Sequence, residues 1–221
     1  MRRIVIPLTV AVALVAAVSD AQTNRTTPEP KLPAWDADFS LGVTSNAPID
    51  EGRHQGGPEA RVEARLDLGH YWTQHLKTEA GLAFLNTWDN YEFESFPVQG
   101  LPGGGYSILS TSARMTILTP ALTYQFLENQ FAHPYVSVGA RIAFLETHTR
   151  RDPQTYTQNR ITYSVPALDR IDMSVAARPV LAAGYKSYFN ERTFMRTELQ
   201  TSFGRDGSPH PALRIGFGFD F

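Results

Sequence analysis

From Trp35 to the last residue the chain repeats one pattern eight times, with apolar side chains at every second position. That spacing belongs to a β-strand with two unlike faces, and the helical period is missing throughout. In the first run Trp35, Ala37, Phe39, Leu41 and Val43 share one face, while Asp36, Asp38, Ser40, Gly42 and Thr44 share the other. In the second, Val62, Ala64, Leu66, Leu68 and Trp72 oppose Arg61, Glu63, Arg65, Asp67 and Gly69. In the third, Leu76, Ala80, Leu82 and Phe84 oppose Lys77, Glu79 and Gly81. The fourth, Arg114 to Phe126, is the least regular, because Met115 and Ile117 fall opposite Leu118, Leu122, Tyr124 and Phe126. Pro120 inside it predicts a bulge or local break, since proline gives no N–H to a ladder.

Regular alternation returns in the last four runs. Val136, Val138, Ala140, Ile142 and Phe144 oppose Tyr135, Ser137, Gly139 and Arg141. Val175, Ala177, Leu181, Ala183 and Tyr185 oppose Ser174, Arg178, Gly184 and Lys186, with Pro179 a second irregularity. Met195, Thr197, Leu199, Thr201 and Phe203 oppose Arg196, Glu198, Gln200 and Ser202. Leu213, Ile215, Phe217, Phe219 and Phe221 oppose Arg214, Gly216, Gly218 and Asp220. The connections alternate in length. Residues 45–59, 89–108 and 149–172 read as long loops, 73–75, 127–134 and 188–192 as short ones, and 204–211 as moderate. If the strands run up and down in order, long loops gather at one end and tight turns at the other, with both termini at the tight-turn end.

Composition removes several classes of function. Charged residues make up 19% of the 221 and the formal net charge is −2, so there is no basic footprint for nucleic acid. The absence of cysteine excludes disulfide scaffolds, thiol nucleophiles and cysteine-ligated metals. At the N-terminus, Arg2 and Arg3 precede an apolar stretch from Ile4 to Val18 and the small-residue sequence Ser19-Asp20-Ala21. This reads as a secretory signal peptide over residues 1–21, too short in its apolar part to span a membrane as a helix. Residues 22–34, with Pro28, Pro30 and Pro33, read as an extended periplasmic tail, and residues 35–221 as the folded unit.

Alternation alone does not say whether the apolar face points into a soluble core or out into lipid. The polar face carries Gly42, Gly69, Gly81, Gly139, Gly184, Gly216 and Gly218 beside Arg65, Glu79, Arg141, Arg178, Arg196, Glu198 and Arg214. Glycine is a poor residue for a water-exposed strand face, but small residues beside long charged ones suit a narrow, filled lumen. These seven charged residues are expected to form a salt-bridged network that plugs the lumen, because buried ions must be paired. Arg61, Lys77, Lys186, Asp38, Glu63, Asp67 and Asp220 add to it. Aromatics mark two levels: Trp35, Trp72, Tyr124, Phe126, Tyr185, Tyr188, Phe219 and Phe221 at the tight-turn ends, and Phe84, Trp88, Phe144 and Phe203 near the loop ends. Two aromatic rings around an aliphatic belt are what a bilayer interface selects.

The last ten residues, ALRIGFGFDF, resemble the closing strand of bacterial outer-membrane β-barrels, aromatic at alternate positions and ending in Phe. With the signal peptide and the loop asymmetry, residues 35–221 are similar in architecture to small OmpA/OmpX-like eight-stranded barrels. The resemblance implies an all-β, eight-stranded, antiparallel, up-and-down transmembrane barrel in the outer membrane. It also implies that Phe217, Phe219 and Phe221 are read by the barrel assembly machinery, and that outer-membrane lipid and lipopolysaccharide are the surroundings. The chain is expected to be a monomer without cofactors and to have a structural or surface-interaction role.

The residues offer little for catalysis. Gly103-Gly104-Gly105 lies in a long loop with no helix pattern after it, unlike a phosphate loop. His54, His70, His75, His133, His148 and His210 show no metal-ligand spacing. His75 and His133 are placed in or beside tight turns, His54 and His210 in long loops. Some barrels of the resembled kind are lipid A deacylases or acyltransferases using His and Ser. The pair Ser208 and His210 is the nearest approach here, so no catalytic residue is assigned. A lipid A-modifying enzyme and a soluble lipocalin-like carrier remain the alternatives. Arg150, Arg151 and Arg160, with Tyr156 and Tyr163 nearby, are candidates for engaging phosphate groups or a surface partner from a long loop.

Overall fold

The computed structural model describes residues 34–45, 60–96, 105–126, 132–158, 160–204 and 206–221. Residues 1–33, with the expected export segment and all but the last residue of the expected tail, lie outside this set, as do His54 and the triple glycine's first two members. Among the described residues ten strands follow in chain order: β1 (Trp35–Ser45), β2 (Ala60–Tyr71), β3 (Leu76–Phe96), β4 (Gly105–Gln125), β5 (Ala132–Arg151), β6 (Gln154–Gln158), β7 (Ile161–Val165), β8 (Leu168–Tyr188), β9 (Thr193–Phe203) and β10 (Pro209–Asp220). Eight form one closed antiparallel barrel in the order β1-β10-β9-β8-β5-β4-β3-β2, and β6 pairs with β7 as a separate hairpin.

Closure puts the first and last strands side by side, Asp36 opposite Asp220 through Thr44 opposite Ala212. The tight turns are built by side chains that catch backbone amides. Thr73 Oγ1 accepts from the amides of His75 and Leu76 at 3.2 and 3.0 Å, and Asn190 Oδ1 from those of Arg192 and Thr193 at 2.9 and 2.8 Å. These are the local turns that Ser, Thr and Asn make in place of a ladder.

The period-two faces separate as the sequence indicates. Along β2 and β10 every second residue is buried, and the intervening Val62, Leu66, Leu68, Leu213, Ile215, Phe217 and Phe219 are exposed on the outside. The buried set is the polar one: eight Lys or Arg and seven Asp or Glu side chains lie inside the barrel. This is the reverse of a soluble protein's arrangement.

The structure corrects several expectations. The stretches 89–108 and 149–172 are not simply loops. β3 runs to Phe96 and β4 starts at Gly105, β5 runs to Arg151 and β8 starts at Leu168, and β6 and β7 fill the interval between them. Tyr91 and Phe93, Tyr106 and Ile108, and Ile171 and Met173 still alternate with polar residues there, but the runs are short and the β3 run is out of phase with the one below it, so hydrophobic patterning ends the strands too early. Pro120 causes no register shift. Its pairing to β3 is continuous, and β5 pairs in the same register on both sides of it, at Leu118–Ile142 and Ala121–Gly139. The irregularity lies instead in β3, where the register slips between Leu85 and Trp88. His210 belongs to β10, and Tyr188 faces the lumen, where its hydroxyl donates to Asp220 at 2.7 Å. Six of the other seven aromatics of the tight-turn level, Trp35, Trp72, Tyr124, Tyr185, Phe219 and Phe221, are exposed on the outside, and Phe126 is half-buried.

Candidate functional site

The lumen is filled in storeys. At the tight-turn end Asp36 is the hub: Lys77 Nζ donates to its carboxylate at 2.6 Å, Lys186 reaches the same oxygen, and the Tyr71 hydroxyl donates to it at 3.0 Å. Lys186 also sits 3.8 Å from the centre of the Phe194 ring, and Asp220 lies 3.7 Å from its ammonium. Asp36 falls on the polar face of the first run but not in the expected charge network. Nothing in its spacing distinguishes it from Asp38, because only barrel closure brings both lysines to it.

The middle storey is organised by Arg196. Its guanidinium donates to Asp38 and Glu79 at 2.9 Å each, to Glu198 at 2.5 Å and to the Tyr135 hydroxyl at 2.6 Å. Glu79 takes a further bond from Thr123 and an ion pair with Lys77 at 2.5 Å. Arg65 holds Asp67 through two nitrogens, at 2.7 and 2.5 Å, and Arg214 bonds Glu198 and Gln200. The cavity left among Arg65, Glu79, Arg196, Glu198, Gln200 and Arg214 is about 10 Å³, room for roughly one water molecule. The glycines on this face are spaces for their neighbours. A Cβ on Gly69 would collide with Asp36 Oδ1, and one on Gly81 would collide with both the Arg65 guanidinium and Asp67.

Toward the long-loop end Arg141 crosses the lumen to Glu63 at 2.5 Å; Arg178, its register partner on β8, and Arg61 on β2 are buried too. One side of this upper lumen is apolar. Ala83, Leu85, Ala113, Met115, Ile117, Ala143 and Leu145 pack as a cluster on β3, β4 and β5. The phase reversal at Met115 and Ile117 is therefore a change in what fills the interior, not a break in the strand.

Unequal strand length shapes the exterior. β3, β4, β5 and β8 have 20 or 21 residues each, whereas β1, β2, β9 and β10 have 11 or 12. The long four continue past their neighbours as a raised wall. Pairing of β8 with β9 reaches only Val180–Ser202, so among the described residues Leu168–Pro179 pairs with β5 alone. Its outward side chains Ile171, Met173 and Val175 are 59%, 77% and 61% exposed.

Of the loop candidates, Arg150 and Arg151 end β5, Tyr156 lies in β6 and Arg160 follows it. Arg150 and Arg151 are successive residues at the end of β5 and so point to opposite faces; Arg150 pairs with Asp152 at 3.1 Å. Arg160 occupies the β6–β7 turn with φ of 64°, and the Tyr156 hydroxyl donates to Gln154. His148, which spacing does not single out, meets Asp169 across the wall at 2.7 Å. At the β9–β10 turn Ser208 Oγ lies 3.2 Å from His210 Nε2 but donates to Asp206 Oδ1 at 2.6 Å. The serine hydroxyl thus donates to a carboxylate, whereas a nucleophile donates to the base that activates it.

No family model matches the chain, and no curated protein matches it. Among solved structures, the outer membrane protein OprG from Pseudomonas aeruginosa is 13% identical, covering 86% of this chain and 97% of that one, with a TM-score of 0.49. Neisserial surface protein A is 11% identical over 85% and 96% of the two chains, TM-score 0.48. Ail, the attachment invasion locus protein of Yersinia pestis, is 10% identical over 86% and 100%, TM-score 0.47. By its own strand order and register, the chain is an eight-stranded, antiparallel, up-and-down β-barrel with a charged lumen and an apolar outer face.

Proposed function

We propose that this chain is a non-enzymatic barrel of the bacterial outer membrane that spans lipid with its lumen shut and offers its raised wall to an extracellular partner. The observation that carries the reading is the inside-out distribution: the Phe39, Leu41, Leu66 and Ile215 side chains face outward while fifteen ionisable Lys, Arg, Asp and Glu groups are buried within. In water that exterior would be a contiguous apolar surface far larger than a monomer tolerates, whereas in a bilayer it is the solvated face. A lipocalin-like carrier needs an apolar lumen, and this one is filled with ion pairs. Outer-membrane lipid and lipopolysaccharide then surround the barrel, and Phe217, Phe219 and Phe221, all exposed on the outer side, are available to the assembly machinery. The β8 edge supports the partner-binding part, since an unpaired strand can accept another chain's backbone.

Fractionation to the outer membrane, with different gel migration before and after boiling, is the expected result. Recovery as a soluble periplasmic protein without detergent would overturn the membrane assignment. Large stable conductance in planar bilayers would overturn the shut lumen, and a changed lipid A mass on expression would favour the enzymatic alternative.

A further inference from the structure

The raised wall ends in a strand whose backbone direction is fixed from below. In the turn after β8 the amide of Phe189 donates to the Thr193 carbonyl at 2.9 Å, so the odd-numbered residues of β8 turn their N–H and C=O groups toward β9. The register is unbroken over residues 168–187 against β5 and 180–188 against β9. Above Val180, where pairing with β9 stops, Asp169, Ile171 and Met173 therefore aim these groups at the side where no described strand pairs. This part of the edge stands beyond the lipid. Met173 is level with Glu146 of β5 and, through it, with Arg114 of β4, whose side chain is exposed on the outer face between the buried Ala113 and Met115. A lipid-facing arginine at that level would be costly, so the level belongs to water or headgroups.

Charged side chains ordinarily blunt a strand edge, because a second strand brings like charge against like. Here Arg170 and Asp172 are opposite in sign, two positions apart, and more than half exposed. An antiparallel second copy turned about a two-fold axis at Ile171 sets Arg170 opposite the copy's Asp172, and Asp172 opposite its Arg170. These are the close, non-hydrogen-bonded positions where cross-strand side chains interact most. The same axis sets Ile171 against Ile171 and Asp169 against Met173, exchanging roughly six backbone hydrogen bonds. An axis at Met173 would instead oppose Asp172 to Ser174 and Arg170 to Ala176, leaving both charges without their complement.

Orientation decides where such a pair can form. β8 runs toward the tight-turn end in every copy, so two barrels side by side in one membrane offer parallel edges, crossed by twice a tilt of about 35–45°. Antiparallel edges meet when the long-loop ends face each other from two membranes.

We propose that the β8 edge is a homophilic contact, residues 169–173 pairing with the same residues of a second copy in an apposed membrane, in the register set by Arg170 and Asp172. This rests on the reading of the raised wall as a partner-binding surface and names the partner. Within its own membrane the barrel stays a monomer.

The test uses the full chain in phosphatidylcholine vesicles, with protease access to the β6–β7 turn measuring the fraction whose long-loop end is outside and light scattering following clustering. Parent vesicles are expected to cluster. Those carrying Arg170→Glu or Asp172→Arg alone should cluster about tenfold more slowly, since each variant sets like charges opposite in a self-pair. Mixing the two variant populations should restore the parent rate, because each then meets its complement. The chain has no cysteine, so on oxidation Ile171→Cys should cross-link vesicle to vesicle, while Met173→Cys, which the axis sets opposite Asp169, should not. Gel migration before and after boiling checks that each variant is folded, and if a charge variant is not, the cysteine pair decides. Failure of the parent to cluster, failure of the mixture to recover, or cross-linking through Met173→Cys in place of Ile171→Cys would overturn the proposal. Fast exchange of the Ile171 and Met173 amides in parent vesicles that do not cluster would leave the wall open to another class of partner. Protection of those amides in dispersed vesicles would overturn the partner-binding reading as well.

Discussion

Trp35 and Phe221 close the barrel on each other: the amide of Trp35 donates to the Phe221 carbonyl at 3.0 Å and the amide of Phe221 to the Trp35 carbonyl at 2.8 Å. The chain's last residue is thus the final rung of the seam between β1 and β10. Deleting Phe221 removes both bonds, each contributing about 1 kcal/mol net, and also the outward ring that stacks near Phe219. The band of folded barrel on unboiled gels should fall by more than half, whereas Phe221→Tyr should retain it.

Asp36 is the shared counter-ion of Lys77 and Lys186, both essentially without solvent contact. Asp36→Ala leaves two ammonium groups facing each other in the barrel end and should cost about 3–5 kcal/mol in urea unfolding from vesicles. Adding Lys186→Met should return a substantial part of that loss, because it removes one of the two neighbouring ammonium charges. A neutral outcome for Asp36→Ala would mean that water reaches this storey freely.

The upper edge of the lipid belt can be located by arginine substitution. Leu66 lies on the outer face within the run of apolar residues of β2, and Leu66→Arg should cost about 2–4 kcal/mol. Ile171 is equally apolar and exposed but belongs to the raised wall, next to Arg170, Asp169 and Asp172. Ile171→Arg should cost only about 0–1 kcal/mol if that wall stands in water. Equal penalties at both sites would place the wall within the bilayer.

The free edge of β8 has a signature in amide exchange. Alternate amides of Leu168–Pro179 point toward β5 and are bonded, while the others point to the side where no described strand pairs. Mass or NMR detection should find every second amide of this stretch exchanging quickly, with the amides of Val180–Tyr188 protected throughout. Uniform protection from Ile171 to Val175 would mean that the edge is already covered.

Asp206 is held below the usual carboxylate range, first by the hydrogen bond from the Ser208 hydroxyl and then by that from the Ser208 amide. A depressed folded-state value means that this turn contact stabilises above the ordinary carboxylate range and is lost as pH falls through the lowered value. Ser208→Ala should move the Asp206 titration, followed by carboxyl NMR, back toward its ordinary position. It should leave lipid A composition unchanged in cells, which is the result a catalytic serine would not give.

The barrel is legible in the sequence because its two faces differ at nearly every position, so strand number, register parity and the identity of most lumen charges follow from spacing. Where the contrast between faces vanishes, spacing carries no signal. Ser110, Thr111 and Ser112 of β4, and Thr147 and Thr149 of β5, form strand without presenting an apolar side. Asp36 cannot be singled out because its two lysines come from β3 and β8, which meet it only across a closed lumen. Tyr188 is misplaced for a related reason: an aromatic at a strand end belongs to the outer ring or the inner plug according to parity alone, and its parity is that of Lys186.

The slipped pair between Leu85 and Trp88 inserts one residue into β3 and reverses which of its side chains look outward from there on. Below it the odd-numbered residues line the interior, while above it Tyr91 and Phe93 stand outside. Loss of a single residue at position 86 or 87 would therefore exchange the upper strand's outward set, presenting Glu92 in place of the two aromatics. The barrel below, its turns and its lumen would be untouched. A one-codon change at this point re-faces the upper wall, so variation there can arise while the barrel beneath stays folded.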